Sequence, residues 1–195
     1  CKLHSQLLNT AIITLIVNAA YTGSTMCFPS PTWSPKKTLN AIGDHELDVF
    51  YGTPTMFIDL FSQVDLDPKL KSKLSSLKQG VGAGSLLPPE LLKRANEEFN
   101  IKTQVVYGTT ENSPVVTGCY LDDPYKKQVN TVGRALDHIE LKISNADPDS
   151  EDFGEILPIN TSGELCTRGY QVFSGYLNDD KKTKEAIDPQ RWYHA

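Results

Sequence analysis

The sequence lacks the marks of several protein classes. Its four cysteines, Cys1, Cys27, Cys119 and Cys166, form no Cys-x-x-Cys pair, which argues against the common zinc and dithiol motifs. Free buried thiols in a reducing compartment are expected instead. Basic residues are in deficit: 19 Lys and Arg stand against 24 Asp and Glu, a net charge of −5. The positive excess of a dedicated nucleic-acid binder is missing, and no nucleic-acid partner is expected. The longest apolar run, Ala11–Val17, is broken at Asn18, far short of the roughly 20 residues that cross a bilayer. A basic leader, apolar core and small-residue cleavage site do not occur together near Cys1. No Gly-Lys-Ser/Thr closes a Walker loop and no Gly-x-Ser-x-Gly elbow occurs, so Ser85 is a poor nucleophile candidate. Internal repeats are absent too.

What is present is ordinary globular material. Charged residues make up 22% and the apolar set 39%, which excludes wholesale disorder. Residues 6–20 carry no Gly or Pro and read as a largely buried helix. Ser24–Phe28 suits a short strand, and Pro29, Pro31 and Pro35 mark a loop. Pro35 and Pro54 each stand where a helix begins, since a first-turn residue needs no N–H partner. Helices are therefore predicted from Pro35 to about Ile42 and from Pro54 to about Phe61, with a strand over Asp48–Tyr51. Residues 64–78, with Lys69, Lys71, Lys73 and Lys78, read as a solvated segment. A strand near Leu77–Val81, a helix over 89–99 and a strand over Ile101–Tyr107 follow. This alternation predicts a parallel α/β sheet. After residue 112 the texture changes to short strand candidates, Val115–Tyr120, Leu136–Ile143, Gly154–Leu157 and Glu164–Thr167, with a short helix at 180–187. An antiparallel or β-barrel-like segment is expected there, so the division runs 1–112 and 113–195. The acidic stretch Asn145–Asp152 lacks the later ligand positions of a calcium loop and reads as a solvated turn.

Ligands of a parallel sheet bind outside the carboxyl ends of its strands. Two loops fall at that edge. Gly82, Ala83, Gly84 and Ser85 are small enough for a planar group to approach the backbone, and a helix start at Pro88-Pro89 follows. Tyr107, Gly108, Thr109, Thr110 and Glu111 close the next strand. If the two strands are neighbours, Tyr107 can stack on one face of a flat ring while Gly82–Gly84 line the other. Thr109 and Thr110 offer hydroxyls to phosphate oxygens, and Glu111 offers a hard oxygen for Mg²⁺. Together these parts describe a site for an adenine nucleotide.

The run Tyr107-Gly-Thr-Thr-Glu-Asn-Ser-Pro114 resembles the core motif of the AMP-forming adenylate-forming enzymes: acyl-CoA synthetases, firefly luciferase and peptide-synthetase adenylation domains. Further segments resemble that family in order: Tyr51–Met56, Ala83–Ser85 with Pro88–Leu92, Val132-Gly-Arg134, Gly163–Tyr170, Ser174-Gly-Tyr176, and Lys182-Thr183, Ala186 and Trp192-Tyr193. The wording is nearest the family's medium-chain acyl-CoA synthetases. The resemblance implies an α/β lobe followed by part of a β-barrel-like lobe of a large adenylate-forming domain. It implies that Tyr107 stacks on adenine with Gly82–Ser85 across the ring, and that Gly108 and Thr109 border the acyl carboxylate. Thr110 would contact the α-phosphate and Glu111 would hold Mg²⁺. It further implies ATP, Mg²⁺ and CoA as substrates and cofactors, a fatty acid as carboxylate, and a mitochondrial location. The family's Ser/Thr/Gly-rich phosphate loop and C-terminal Lys domain are not among these residues, and Ala195 stands where the ribose motif's Thr is expected. The 195 residues alone are therefore expected not to make acyl-CoA. A non-catalytic relative and a different adenylate-former, such as an aryl-CoA ligase, are the rival readings.

Blander roles are expected elsewhere. His4 reads as an ordinary terminal residue rather than a tunnel gate. His45, His138 and His194 show no metal-ligand spacing. Met56, Phe57 and Leu60 suit either an acyl tunnel or plain core. Arg134 and Arg168 are expected in salt bridges or turn hydrogen bonds.

Overall fold

The computed structural model describes residues 16–147 and 149–195. His4 and most of the helix expected at 6–20 lie outside the described residues. The chain forms two compact units: one comprises the described residues through Tyr107 together with Thr117–Arg134, the other Gly108–Val116 together with Ala135–Ala195.

The first unit opens with α1 (Asn18–Thr22), a single short turn of helix. Only Ala19 is buried in it, and Ile16 and Val17 just before it are exposed, contrary to the expectation of a buried helix. Ser24–Phe28 is not a strand either, because its backbone joins no ladder. The predicted prolines do open helices: α2 spans Pro35–Asp44 and α3 spans Pro54–Leu66. Between them lies β1 (Val49–Gly52); a 3₁₀ segment (Pro68–Leu74) then leads into β2 (Gln79–Gly82). Helix α4 (Pro89–Phe99) and β3 (Lys102–Tyr107) complete a βαβαβ run. β1 pairs parallel with β2, and β2 with β3, in a sheet of order β1-β2-β3-β4-β5. The short β4 (Thr117–Gly118) runs antiparallel to β3, α5 spans Tyr125–Asn130, and β5 is Arg134–Ala135.

Helical spacing explains the core. Phe57, Leu60, Phe61 and Val64 lie on one face of α3, and Leu91, Ala95 and Phe99 on one face of α4. They bury against Leu39 and Ile42 of α2 and against Phe50 of β1. Phe61 and Phe99 stack with centroids 4.4 Å apart, and Phe50 meets Phe57 edge-on at 4.9 Å, geometries that add to the burial itself. Phe57 and Leu60 are thus core residues, with Met56 partly buried against them. Lys69, Lys71 and Lys78 are solvated, as expected, while Lys73 pairs with Asp44.

A polar knot anchors the last part of this unit. Asp123 accepts hydrogen bonds from the Tyr120 N–H at 2.8 Å, Lys127 Nζ at 3.0 Å and Arg134 Nη2 at 2.6 Å. The Arg134 guanidinium also covers the Tyr120 ring at 4.5 Å. The Tyr120 amide first, then Lys127 and Arg134, hold the Asp123 carboxyl down to about 2. A depressed carboxyl value stabilises the fold above the unfolded-state value and loses that contribution as pH falls through the folded one. The urea midpoint of Asp123→Asn is therefore expected to lie below that of the wild type near neutrality. The gap should shrink between about pH 4 and pH 2. A gap independent of pH would remove the ionised Asp123 from the account.

The second unit is an open antiparallel sheet. β6 (Ile139–Ser144) pairs with β7 (Glu164–Gly169) from Ile139↔Gly169 to Ser144↔Glu164. β8 (Tyr193–His194) adds to the other edge of β7 through Cys166↔His194 and Thr167↔Tyr193. Gly154–Leu157 contributes only a bridge, Ser144↔Ile156, rather than a strand. Helix α6 (Asp180–Ala186) is capped by Asp179, which accepts the Lys182 N–H at 3.0 Å. Arg168 forms a two-point pair with Glu140, at 3.2 and 2.5 Å. No closed barrel forms among the described residues. No described helix is long and apolar enough to cross a membrane.

Candidate functional site

In the first unit, the register Gly82↔Val105 makes β2 and β3 direct neighbours. The loop after Gly82 and the end of β3 at Tyr107 therefore leave the sheet at the same carboxyl edge. At Gly82 the space is already used: an added Cβ would lie 2.3 Å from Leu87 Cδ2. Leu87 is buried there with Leu92, Val105 and Cys119. Ala83 continues the ladder by donating its N–H to the Gly52 carbonyl at 3.3 Å. The open part of the loop is Gly84, at φ +88°, and Ser85, both exposed. Tyr107 is half-buried.

The second unit carries the other candidate residues. Gly108 can only be glycine, because a Cβ would sit 2.0 Å from the Pro114 carbonyl oxygen. Thr109 precedes a short 3₁₀ turn, Thr110–Asn112, and its Oγ1 accepts a hydrogen bond from the Asn112 side-chain Nδ2 at 3.1 Å. Asn112 is fully buried, and its other end, Oδ1, accepts the Thr167 hydroxyl of β7 at 2.7 Å. Glu111 is half-buried; its carbonyl accepts the Phe173 N–H at 2.8 Å and its Oε1 accepts the Tyr176 hydroxyl at 3.0 Å. Burial, followed by that bond and the Glu111 charge, pushes the Tyr176 phenol up to about 12. Both a buried phenol and one beside a carboxylate resist ionisation. Phe173 supports this arrangement, meeting Tyr176 edge-on at 4.9 Å and Tyr193 at 5.9 Å.

Three of these supports, Asn112, Thr167 and Tyr176, were not singled out by the sequence reading. All three do stand inside the family-like segments Tyr107–Pro114, Gly163–Tyr170 and Ser174–Tyr176. Their roles depend on partners 55 and 65 residues away, and no local spacing signals that.

Residues 7–177 match the family described as AMP-binding enzyme, and the chain belongs to that family. A curated relative is the medium-chain acyl-CoA ligase ACSF2, mitochondrial, of Macaca fascicularis. It is 41% identical over 174 residues, covering 89% of this chain and 27% of that protein. The chain thus spans about a quarter of the length of that relative. Among solved structures it resembles ATP-bound MatB from Rhodopseudomonas palustris, with TM-score 0.79, 21% identity, and coverage of 95% of this chain and 34% of that one. It also resembles O-succinylbenzoate coenzyme A synthetase (MenE) from Bacillus subtilis in complex with AMP, with TM-score 0.76, 19% identity, and coverage of 97% and 36%. At these identities the two structures speak for the fold.

Proposed function

We propose that this chain is the adenine- and metal-side segment of an ATP-dependent acyl-CoA ligase that activates medium-chain fatty acids in the mitochondrion. The 41% identity to the medium-chain ligase is the observation that carries the reading. In it, the α/β part serves as the second α/β lobe of the ligase's large domain, and the antiparallel part serves as its β-barrel-like lobe. Tyr107 stacks on adenine with Gly82, Ala83, Gly84 and Ser85 across the ring. Gly108 and Thr109 border the acyl carboxylate, and Thr110 contacts the α-phosphate.

Glu111 suits Mg²⁺. A carboxylate has two acceptor oxygens, and Tyr176 engages Oε1 only as a donor. The hard oxygen set matches a cation that takes one or two carboxylates plus phosphate ligands. When bound, such an ion neutralises charge on the phosphate oxygens. The chain's own part is to orient the nucleotide and to place donors where charge develops.

The test is a chimera in which this chain replaces the matching segment of the Macaca fascicularis ligase. It is expected to release AMP and form acyl-CoA from a medium-chain acid, ATP and CoA. The isolated 195-residue chain is expected to give no ATP–pyrophosphate exchange. A chimera that folds by circular dichroism yet makes no acyl-adenylate would overturn the proposal.

A further inference from the structure

A second group of ligand-type side chains lies in the sheet of the second unit, away from Glu111 in sequence and separate from the residues assigned above. Glu164 and Cys166 are two apart on β7, so they share one face of the strand. His194 of β8 is the ladder partner of Cys166, so it stands on that same face. Their ligand atoms all lie within 4.8 Å of one another. Cys166 Sγ is 3.5 Å from His194 Nδ1 and 3.8 Å from Glu164 Oε2; Nδ1 and Oε2 are 2.6 Å apart.

This is not the layout of a thiol–imidazole–carboxylate relay. A relay places the thiol and the acid on opposite ring nitrogens, so that a proton can be taken at one while the other is held. Here the thiol and Glu164 both face Nδ1, and one nitrogen cannot serve both; Asp188, on the Nε2 side, is 3.7 Å away, too far for the hydrogen bond that would orient the ring in a relay. The three atoms converge instead. Bonds of about 2.3 Å to sulfur and about 2.0–2.1 Å to nitrogen and oxygen, at tetrahedral angles, set ligand atoms about 3.3–3.6 Å apart. The Sγ–Nδ1 distance matches, and Sγ–Oε2 is slightly long. Nδ1 and Oε2 would open by about 0.7 Å once an ion replaced the proton between them.

The surroundings favour an ion as well. Asp188 Oδ2 lies 3.7 Å from His194 Nε2, on the side away from the cluster. On closing to hydrogen-bond distance, that carboxylate would be the usual outer support of a metal-bound imidazole. Cys166 is fully buried, while the Glu164 and His194 side chains remain 26% and 21% exposed. The sulfur is thus fixed in the sheet while solvent can fill a fourth position. Lys142, the ladder partner of Cys166 on β6, is the nearby cation. Its ammonium is directed to the Gly154 carbonyl at 3.4 Å and the Trp192 ring at 5.0 Å.

We propose that Glu164, Cys166 and His194 form a three-ligand site for a borderline-soft divalent cation of the zinc type, with water as the fourth ligand, cross-linking β7 to the two-residue strand β8. The mixed sulfur, nitrogen and oxygen set selects against Mg²⁺, which takes oxygen ligands.

Titration of the metal-free, reduced chain with Co²⁺ tests this. One equivalent is expected to raise a thiolate-to-cobalt charge-transfer band, displaced by Zn²⁺ and untouched by excess Mg²⁺. Cys166→Ser should abolish the band, and Cys27→Ser and Cys119→Ser should leave it unchanged. His194→Gln and Glu164→Gln should each weaken Co²⁺ binding by about tenfold or more. Circular dichroism of each variant establishes that it is folded. No band from a folded wild-type chain, a band surviving Cys166→Ser, or one indifferent to both His194→Gln and Glu164→Gln would overturn the site.

Discussion

Exchanging Glu111 for glutamine is expected to lower acyl-adenylate formation by about a hundredfold in the chimeric ligase, at unchanged fold stability. Glutamine keeps the shape and a carbonyl-type oxygen, so the bond from Tyr176 to Oε1 can persist. The loop has other anchors in Asn112 and in the Phe173 amide on the Glu111 carbonyl. What disappears is the negative charge that would draw a divalent ion to the phosphates. The loss should be partly recovered by raising Mg²⁺, because the defect is one of ion capture. The readouts are the initial rate against Mg²⁺ concentration and a urea melt. A rate within about threefold of the unsubstituted chimera would show that Glu111 holds no metal needed for the reaction.

Gly133→Ala should be the most damaging single methyl addition in the first unit, destabilising the chain by about 3–4 kcal/mol. Two effects combine there. The backbone sits at φ +84°, where a side chain costs about 1–2 kcal/mol. The new Cβ would also fall 2.0 Å from the Gly118 carbonyl atoms and 2.3 Å from the Cys119 nitrogen. Those are backbone atoms of β4 and its continuation, held by the pairing of Gly118 with Val106 and by the Cys119 N–H on the Val105 carbonyl at 2.9 Å. They cannot swing aside as a flexible side chain would. Gly23 supplies the control, with φ +69° and nothing within 4 Å of its would-be Cβ. Gly23→Ala should cost only the conformational part, about 1 kcal/mol. Equal urea midpoints for the two variants would mean that β4 yields freely to the methyl group.

Much of the α/β part could be read from punctuation. Pro54 and Pro89 fixed the starts of α3 and α4, and helical spacing put Met56, Phe57, Leu60 and Phe61 on one face, but the helix runs on past Phe61 and buries Val64, which falls in the segment expected to be solvated. Family-like wording at Tyr107–Pro114 pointed to the AMP-binding fold. Ser24–Phe28 misled because β-prone residues form a strand only where a ladder partner exists. The Glu164–Cys166–His194 cluster escaped for a related reason. Its sequence spacing resembles no metal motif, and what unites it is strand register, Cys166 opposite His194. The Gly82 loop shows a third kind of gap. Besides the ligand role expected of it, Gly82 leaves room for Leu87, which only packing reveals.

Asn112 has a consequence for binding thermodynamics. Its side chain is used at both ends, toward Thr109 and from Thr167, inside a fully buried position. The turn bearing Thr110 and Glu111 is thereby preorganised before any ligand arrives. Ordering a loose turn of this length would subtract about 1–2 kcal/mol per residue from an affinity. Here that entropy is lost once, when β7 forms, and association at the turn would carry a correspondingly small entropic penalty.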